Sequence, residues 1–191
     1  MMRIITGRAK GVRLYSLEGD NTRPTGERAK MAIFSMLQFE MEDRHVLDLF
    51  SGSGQMGLEA ISRGAANAVL VDRSKDAVKI IERNAIKTKL ALECEILCAD
   101  YASFLRTARG KRKFDLVFLD PPYAQKLIPD ALSSLLSLGL LSPRATVVCE
   151  AASQEDIFGG NEEPMRRFDI EKQARYGSEE VAILRLAEDA V

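Results

Sequence analysis

Short, largely apolar runs recur along the chain at residues 46–50, 68–71, 114–119 and 146–150, separated by stretches in which apolar positions return at helical spacing. Runs of this length, rich in Val, Leu and Phe, suit strands covered on both faces, as in a parallel sheet flanked by helices. Residues 93–98 add a third strand in chain order, and two more close the pattern near 167–172 and 181–186. The helical period appears in Ala29, Ala32, Ile33, Met36 and Leu37, in Ala77, Val78, Ile81 and Ala85, and again around residues 127–138. A helix from about Met56 to Gly64 and a short one carrying Phe104 and Leu105 fill the remaining crossovers. At the start, residues 3–6 and 12–15 read as two short strands joined by a Gly/Lys turn. This alternation predicts an α/β sandwich: a mostly parallel seven-stranded sheet with helices on both faces, plus a small N-terminal β-hairpin extension. The expected division is a basic hairpin and helix over residues 1–44 and the sheet domain over 45–191. Residues 152–163 form the loosest stretch.

The first buried run leads into a turn that carries chemistry. Gly52, Gly54 and Gly57 follow it with the spacing GxGxxG, which lets backbone approach a ligand and opens a helix whose first N–H groups point at it. Asp48, inside the strand, bears on which ligand. A carboxylate here repels a dinucleotide pyrophosphate, whereas S-adenosylmethionine brings an ammonium and a sulfonium, two positive centres that favour it. Asp72 ends the next strand, 18 residues beyond Gly54, near the place where nucleotide folds present an acid to ribose hydroxyls. Asp100 ends the third. Carboxylates at three consecutive strand ends mark the edge where open α/β sheets bind ligands, although Asp48 and Asp72 are also placed to cap the following loop or helix.

Composition narrows the class. A chain of 191 residues can bury about 70% of its unfolded surface in one domain with a small extension. Neither a membrane-length apolar run nor a signal-peptide pattern is present, so a cytoplasmic protein is expected. Cys94, Cys98 and Cys149 lack CxxC spacing and His45 is the single histidine, which points away from a disulfide framework or a metal site. Cys94 and Cys98 alternate along one strand and read as core thiols. Net charge is −1, yet the first thirty residues carry +4 and the rest −5. Arg3, Arg8, Lys10 and Arg13 make this arm a candidate nucleic-acid-binding footprint, with a merely solvated surface as the alternative.

The most specific motif is Asp120-Pro121-Pro122-Tyr123 at the end of the fourth strand. Two prolines fix φ and remove two backbone donors, leaving a loop of acceptors that suits an NH₂ group. An exocyclic base amine is a poor nucleophile because its lone pair is delocalised. Holding both hydrogens turns that lone pair towards an electrophile, while Tyr123 stacks on the base for about 1–3 kcal/mol.

The glycine turn with this DPPY motif resembles the class I amino-methyltransferases, and the wider pattern resembles the RsmD family of bacterial 16S rRNA guanine-N2 methyltransferases. The matching segments are Arg3-Ile4-Ile5-Thr6-Gly7, NTRPT at 21–25, LDLFSGSGQMGLEAISRGA at 47–65, FLDPPY at 118–123, and Tyr176-Gly177. Residues 177–180 depart from the small or threonine-bearing run expected there. The resemblance implies that Asp48, Gly52 and Gly54 hold the methionine part of S-adenosylmethionine, Asp72 the ribose and Asp100 the adenine amine. Phe50, Arg73, Tyr101, Arg23 and Thr25 complete the implied cofactor set, and Asp120, Pro121, Pro122 and Tyr123 hold the target amine. It further implies ribosomal RNA of an assembling small subunit as substrate; a monomer is expected, away from the membrane, and a donor that already carries an activated methyl requires no metal. A DNA adenine-N6 or cytosine-N4 methyltransferase would use the same acceptor loop. With 62 residues between Gly57 and Asp120 and 68 after Tyr123, little chain is left for a DNA-reading domain. An NAD-type dehydrogenase and a non-catalytic RNA-binding protein share single features and stay open as alternatives.

Overall fold

The structure is a computed structural model that describes residues 2–17, 27–122, 127–152, 157–177 and 179–188. In chain order the elements are α1 (Glu27–Met36), β1 (His45–Asp48), α2 (Gln55–Ser62), β2 (Asn67–Asp72), α3 (Lys75–Thr88), β3 (Cys94–Cys98) and α4 (Tyr101–Ala108). There follow β4 (Phe114–Leu119), α5 (Ile128–Ser137), β5 (Leu141–Ala152), α6 (Glu162–Arg167), β6 (Phe168–Tyr176) and β7 (Glu179–Leu186). The strands form one sheet ordered β3-β2-β1-β4-β5-β7-β6. Strands β1 to β5 pair in parallel, and β7 runs antiparallel to both β5 and β6.

The central strands are apolar on both faces because each face has its own core. Val46, Ala68, Leu70, Leu116 and Phe118 point towards α1, α2, α3 and the N-terminal arm. Leu47, Val69, Val71, Val117 and Leu119 point towards α4 and α5. Fully buried side chains such as Ile33 and Phe34 on α1 each contribute about 1.5–3 kcal/mol. The order places β1 and β4 side by side where the chain reverses its direction of winding, the switch point at which such sheets open a ligand crevice.

Several elements differ from the sequence expectation. The two arm strands reduce to a single antiparallel bridge between Arg3 and Arg13. Leu49 and Phe50 leave β1 in a turn, with the Leu49 N–H donating to the Phe118 carbonyl (3.2 Å) and that of Ser51 to the Val71 carbonyl (2.9 Å). Strand β5 begins at Leu141, and its pairing with β4 shifts between Phe114 and Leu116. Arg144, inside this irregular part of β5, has φ of 57°. Helix α6 occupies part of the stretch expected to be loose. Cys94 is only half-buried and Cys98 exposed, because β3 is an edge strand bonded to β2 alone in the sheet order. Burial raises the Cys94 thiol to about 12 and lifts Cys149 further, so neither is a ready nucleophile at neutral pH.

Candidate active site

Parallel pairing brings the strand-end acids to one edge. Asp48 pairs with Leu70, two residues before Asp72; Asp72 pairs with Cys98, two before Asp100; and Phe118, two before Asp120, pairs with Asp48. The four carboxylates therefore sit on adjacent strands, stepping outward from Asp48 on both sides. Asp48 Oδ2 accepts from the Gly57 N–H (3.0 Å), and Asp72 Oδ2 accepts from the Gly52 N–H (2.9 Å). Asp72 Oδ1 accepts from the Ser74 N–H (2.8 Å), so this residue braces both the glycine turn and the start of α3. Asp100 caps α4, accepting from the N–H groups of Ala102 and Ser103 at 3.1 Å each.

The three glycines have different duties. A Cβ on Gly57 would lie 2.9 Å from Leu70, and one on Gly54 3.0 Å from Ile81, so both let α2 settle onto its neighbours. Gly52, with φ of 52°, would meet nothing within 4 Å. Its open side is the one available to a ligand, and its N–H is already oriented by Asp72.

Electrostatics distinguishes Asp48. It is 4% exposed, and burial pushes its carboxyl up to about 7; the Gly57 N–H opposes this and the charge of Asp72 adds to it. A buried acid poised near neutrality is stabilised in its ionised form by a nearby cation, which fits a ligand with ammonium and sulfonium groups. Beside it, the Phe50 and Tyr101 rings meet at 5.3 Å, and the Tyr101 hydroxyl donates to Asp130 (2.6 Å). Burial, followed by that bond, pushes the Tyr101 hydroxyl up to about 12, keeping it a neutral donor. Arg73 is exposed next to Asp72, Pro121 is buried and Pro122 exposed. Arg23, Thr25 and Tyr123 lie outside the described residues.

The four arm residues proposed for RNA are exposed, but two already face carboxylates. Arg3 pairs with Glu27 (3.2 Å) and Arg8 with Glu93 (2.8 Å). What the sequence reading missed is the clamp beneath them. Glu59, on α2, is fully buried and accepts from the N–H groups of Ile5 (2.7 Å) and Thr6 (3.0 Å) and from Arg63 Nε (2.8 Å). Lys30 Nζ lies 3.5 Å from the same carboxylate and donates to the Arg3 carbonyl (2.6 Å). Buried Asn84 on α3 accepts from the Tyr15 N–H and donates to the Tyr15 and Ser53 carbonyls, joining the arm to the glycine turn. The sequence signal was a polar residue at an inward helical position in each case.

At the opposite edge of the sheet, a cleft of about 540 Å³ is lined by Glu40, Arg44, Asp115, Arg144 and Arg185. Its charges neutralise one another through Arg44–Glu40 (2.8 Å) and Arg185–Glu40 (2.9 Å), and it lies away from the strand ends that bind ligands. Among the described residues no cluster of His, Cys, Asp or Glu is placed to hold a metal, and no helix is long and apolar enough to cross a membrane.

A seven-stranded sheet of this order, with a glycine turn after β1 and acids at successive strand ends, defines a Rossmann-like class I methyltransferase fold. The chain belongs to the RsmD-like methyltransferase family, whose model, described as conserved hypothetical protein 95, matches residues 2–185. It is 32% identical over 158 residues to the ribosomal RNA small subunit methyltransferase D of Haemophilus influenzae, covering 82% of each chain. The solved structure of the methyltransferase-type protein yhhF from Escherichia coli superposes with a TM-score of 0.82 at 26% identity, covering 97% of each chain. An RNA methyltransferase from Salinibacter ruber, solved with S-adenosyl-L-homocysteine, shares the fold at 21% identity, with a TM-score of 0.63 and 86% and 94% of the two chains covered.

Proposed function

We propose that this protein transfers a methyl group from S-adenosylmethionine to an exocyclic amine of small-subunit ribosomal RNA, with guanine N2 as the target. The observation that carries the reading is the adjacency of two complementary devices: the glycine turn with Asp48 and Asp72 after β1 and β2, and the Asp120-Pro121-Pro122 acceptor loop after neighbouring β4. The ribosomal relatives and the basic arm favour RNA over DNA as the source of the amine.

S-adenosylmethionine supplies an already activated methyl group when bound. The chain's residues then have to orient the acceptor and exclude water. Asp48 balances the cofactor's positive charge, Asp72 and Asp100 hold its hydroxyl and amine groups, and Phe50 and Tyr101 form an aromatic wall. Asp120 and the loop carbonyls take the two N–H bonds of the target, with Tyr123 stacked on the base. Orientation supplies effective molarities of about 10⁵–10⁸ M, against about 10²–10⁴ for general base catalysis, so Asp120 acts as anchor first and proton acceptor second. In this scheme residues 1–44 deliver RNA and residues 45–191 hold the cofactor.

Calorimetry tests the cofactor half. The protein should bind S-adenosylmethionine and not NAD, and Asp72→Ala should weaken that binding more than tenfold. Binding requires the Asp48 proton to leave, so affinity should fall as pH drops through about 7, by about tenfold between pH 7.5 and 6. Asp48→Asn should abolish this dependence. The same raised value makes the unliganded fold bind more protons than the unfolded chain between about pH 4 and 7, so its stability declines as pH rises through that window. Uptake of NAD, or a flat pH profile in the parent protein, would contradict the assignment.

A further inference from the structure

Helix α3 carries Lys75, Lys79, Arg83 and Lys87 at intervals of four residues, all exposed. This spacing sets neighbouring cations about 6 Å apart along the axis and turns them by about 40° per step, so they form one continuous ridge. The ridge starts three residues after Asp72, at the cofactor edge, and winds towards the flank where the arm lies. Lys79 pairs with exposed Asp76 (2.8 Å), while among the described residues Lys75, Arg83 and Lys87 have no carboxylate within 4.0 Å.

A row of surface lysines is ordinarily a solvated helix face; Tyr15 sets this one apart. Its ring, 40% exposed, receives the Arg83 guanidinium at 4.2 Å and the Lys87 ammonium at 4.0 Å. Two like charges are thereby drawn to one aromatic surface, an arrangement that an anion across them relieves. Tyr15 is itself fixed: Asn84 binds its N–H (2.8 Å) and its carbonyl (3.0 Å), and the same amide donates to Ser53 of the glycine turn (2.9 Å). Anchoring the Tyr15 backbone beside α3 keeps its ring within reach of both cations, and their contacts with the ring restrict two flexible side chains, which lowers the entropic cost of gripping an anion. Beyond the far end of α3, Arg8 pairs with Glu93 (2.8 Å), which docks the arm beside the ridge.

We infer that the α3 ridge, with Tyr15 as its platform, is a phosphate track that grips the backbone of the RNA whose base enters the acceptor loop. A regular line of cations fits a regular line of phosphates, and the track runs from the arm to the edge at which the methyl donor is proposed to sit. This rests on the proposed RNA substrate, and it adds a binding surface that the arm residues alone do not provide.

The test uses the full chain with Lys75, Lys79, Arg83 and Lys87 all replaced by glutamine, and a mixed-sequence single-stranded RNA as probe, with binding measured across a salt series. Each lost phosphate contact on a single strand removes about 0.7 from the slope of log K against log salt, so the variant's slope should be shallower by about 2 to 3 and its low-salt affinity at least tenfold weaker. S-adenosylmethionine affinity and thermal midpoint should match the parent, and methyl transfer at saturating RNA should keep its turnover number while KM rises. Tyr15→Leu keeps every charge and should weaken binding several-fold with the slope intact. An unchanged slope in a folded, cofactor-binding quadruple variant would overturn the track, as would polyglutamate competing as well as RNA for the parent. If the parent transferred no methyl to ribosomal RNA yet the slopes differed as stated, the functional reading would fall while the track stood.

Discussion

Replacing Asp120 with alanine should lower the turnover number for methyl transfer by about a hundredfold or more, while the dissociation constant for S-adenosylmethionine changes less than about twofold. Asp120 follows Leu119, the last residue of β4, and Phe118 is hydrogen-bonded in register with Asp48, so the acceptor loop borders the cofactor edge without forming the glycine turn. Pro121 is buried and rigid, which restricts the backbone of Asp120 to extended conformations. An amine held at the wrong angle loses alignment, and a misplacement of about 1 Å costs about a hundredfold. Asp120→Asn keeps an acceptor oxygen and should lose less than the alanine variant, since the anchoring bond matters more than the negative charge. Single-turnover methylation measures both. Equal losses in the two variants would make Asp120 chiefly a proton acceptor, and turnover within a few-fold of the parent in both would remove its role.

Glu59→Ala should produce the largest loss of stability, about 3–5 kcal/mol, because it strips the counter-charge from buried Lys30 and leaves the N–H groups of Ile5 and Thr6 without their acceptor. Burial already pushes the Lys30 ammonium down from its usual value, with Glu59 the main opposing influence. For a chain of this size that energy corresponds to a fall of about 10 °C in the thermal midpoint. The arm should loosen along with it, since Ile5 and Thr6 dock through that carboxylate. Hydrogen exchange at those two amides, with the melting curve, checks the claim; a midpoint within about 2 °C of the parent would show that the clamp is not structural.

The parallel core was legible because β1, β2 and β4 are buried on both faces and so read as unbroken apolar runs. The acidic strand ends were legible for a related reason: an aspartate closing such a run is chemically conspicuous. The N-terminal arm was harder. Its residues look like two strands, yet a single bridge forms because Ile5 and Thr6 give their N–H groups to Glu59, a partner more than fifty residues away in sequence. Helix α6 was missed because its six residues are mostly charged and include Pro164, offering no apolar period. Cys98 was placed in the core because alternation along β3 gives no sign that the strand lies at the sheet's edge. Asn84 and Tyr15 escaped notice because each acts through a contact that only the folded chain creates.

Methyl transfer to a ribosomal base amine is tested by following labelled methyl from S-adenosylmethionine into small-subunit particles, naked ribosomal RNA and duplex DNA, with digestion to nucleosides and mass analysis. One methylated nucleoside, N2-methylguanosine, should form on small-subunit RNA and be nearly lost with Asp120→Ala. Label appearing instead on adenine or cytosine amines of the DNA, or on no nucleic acid at all, would contradict it.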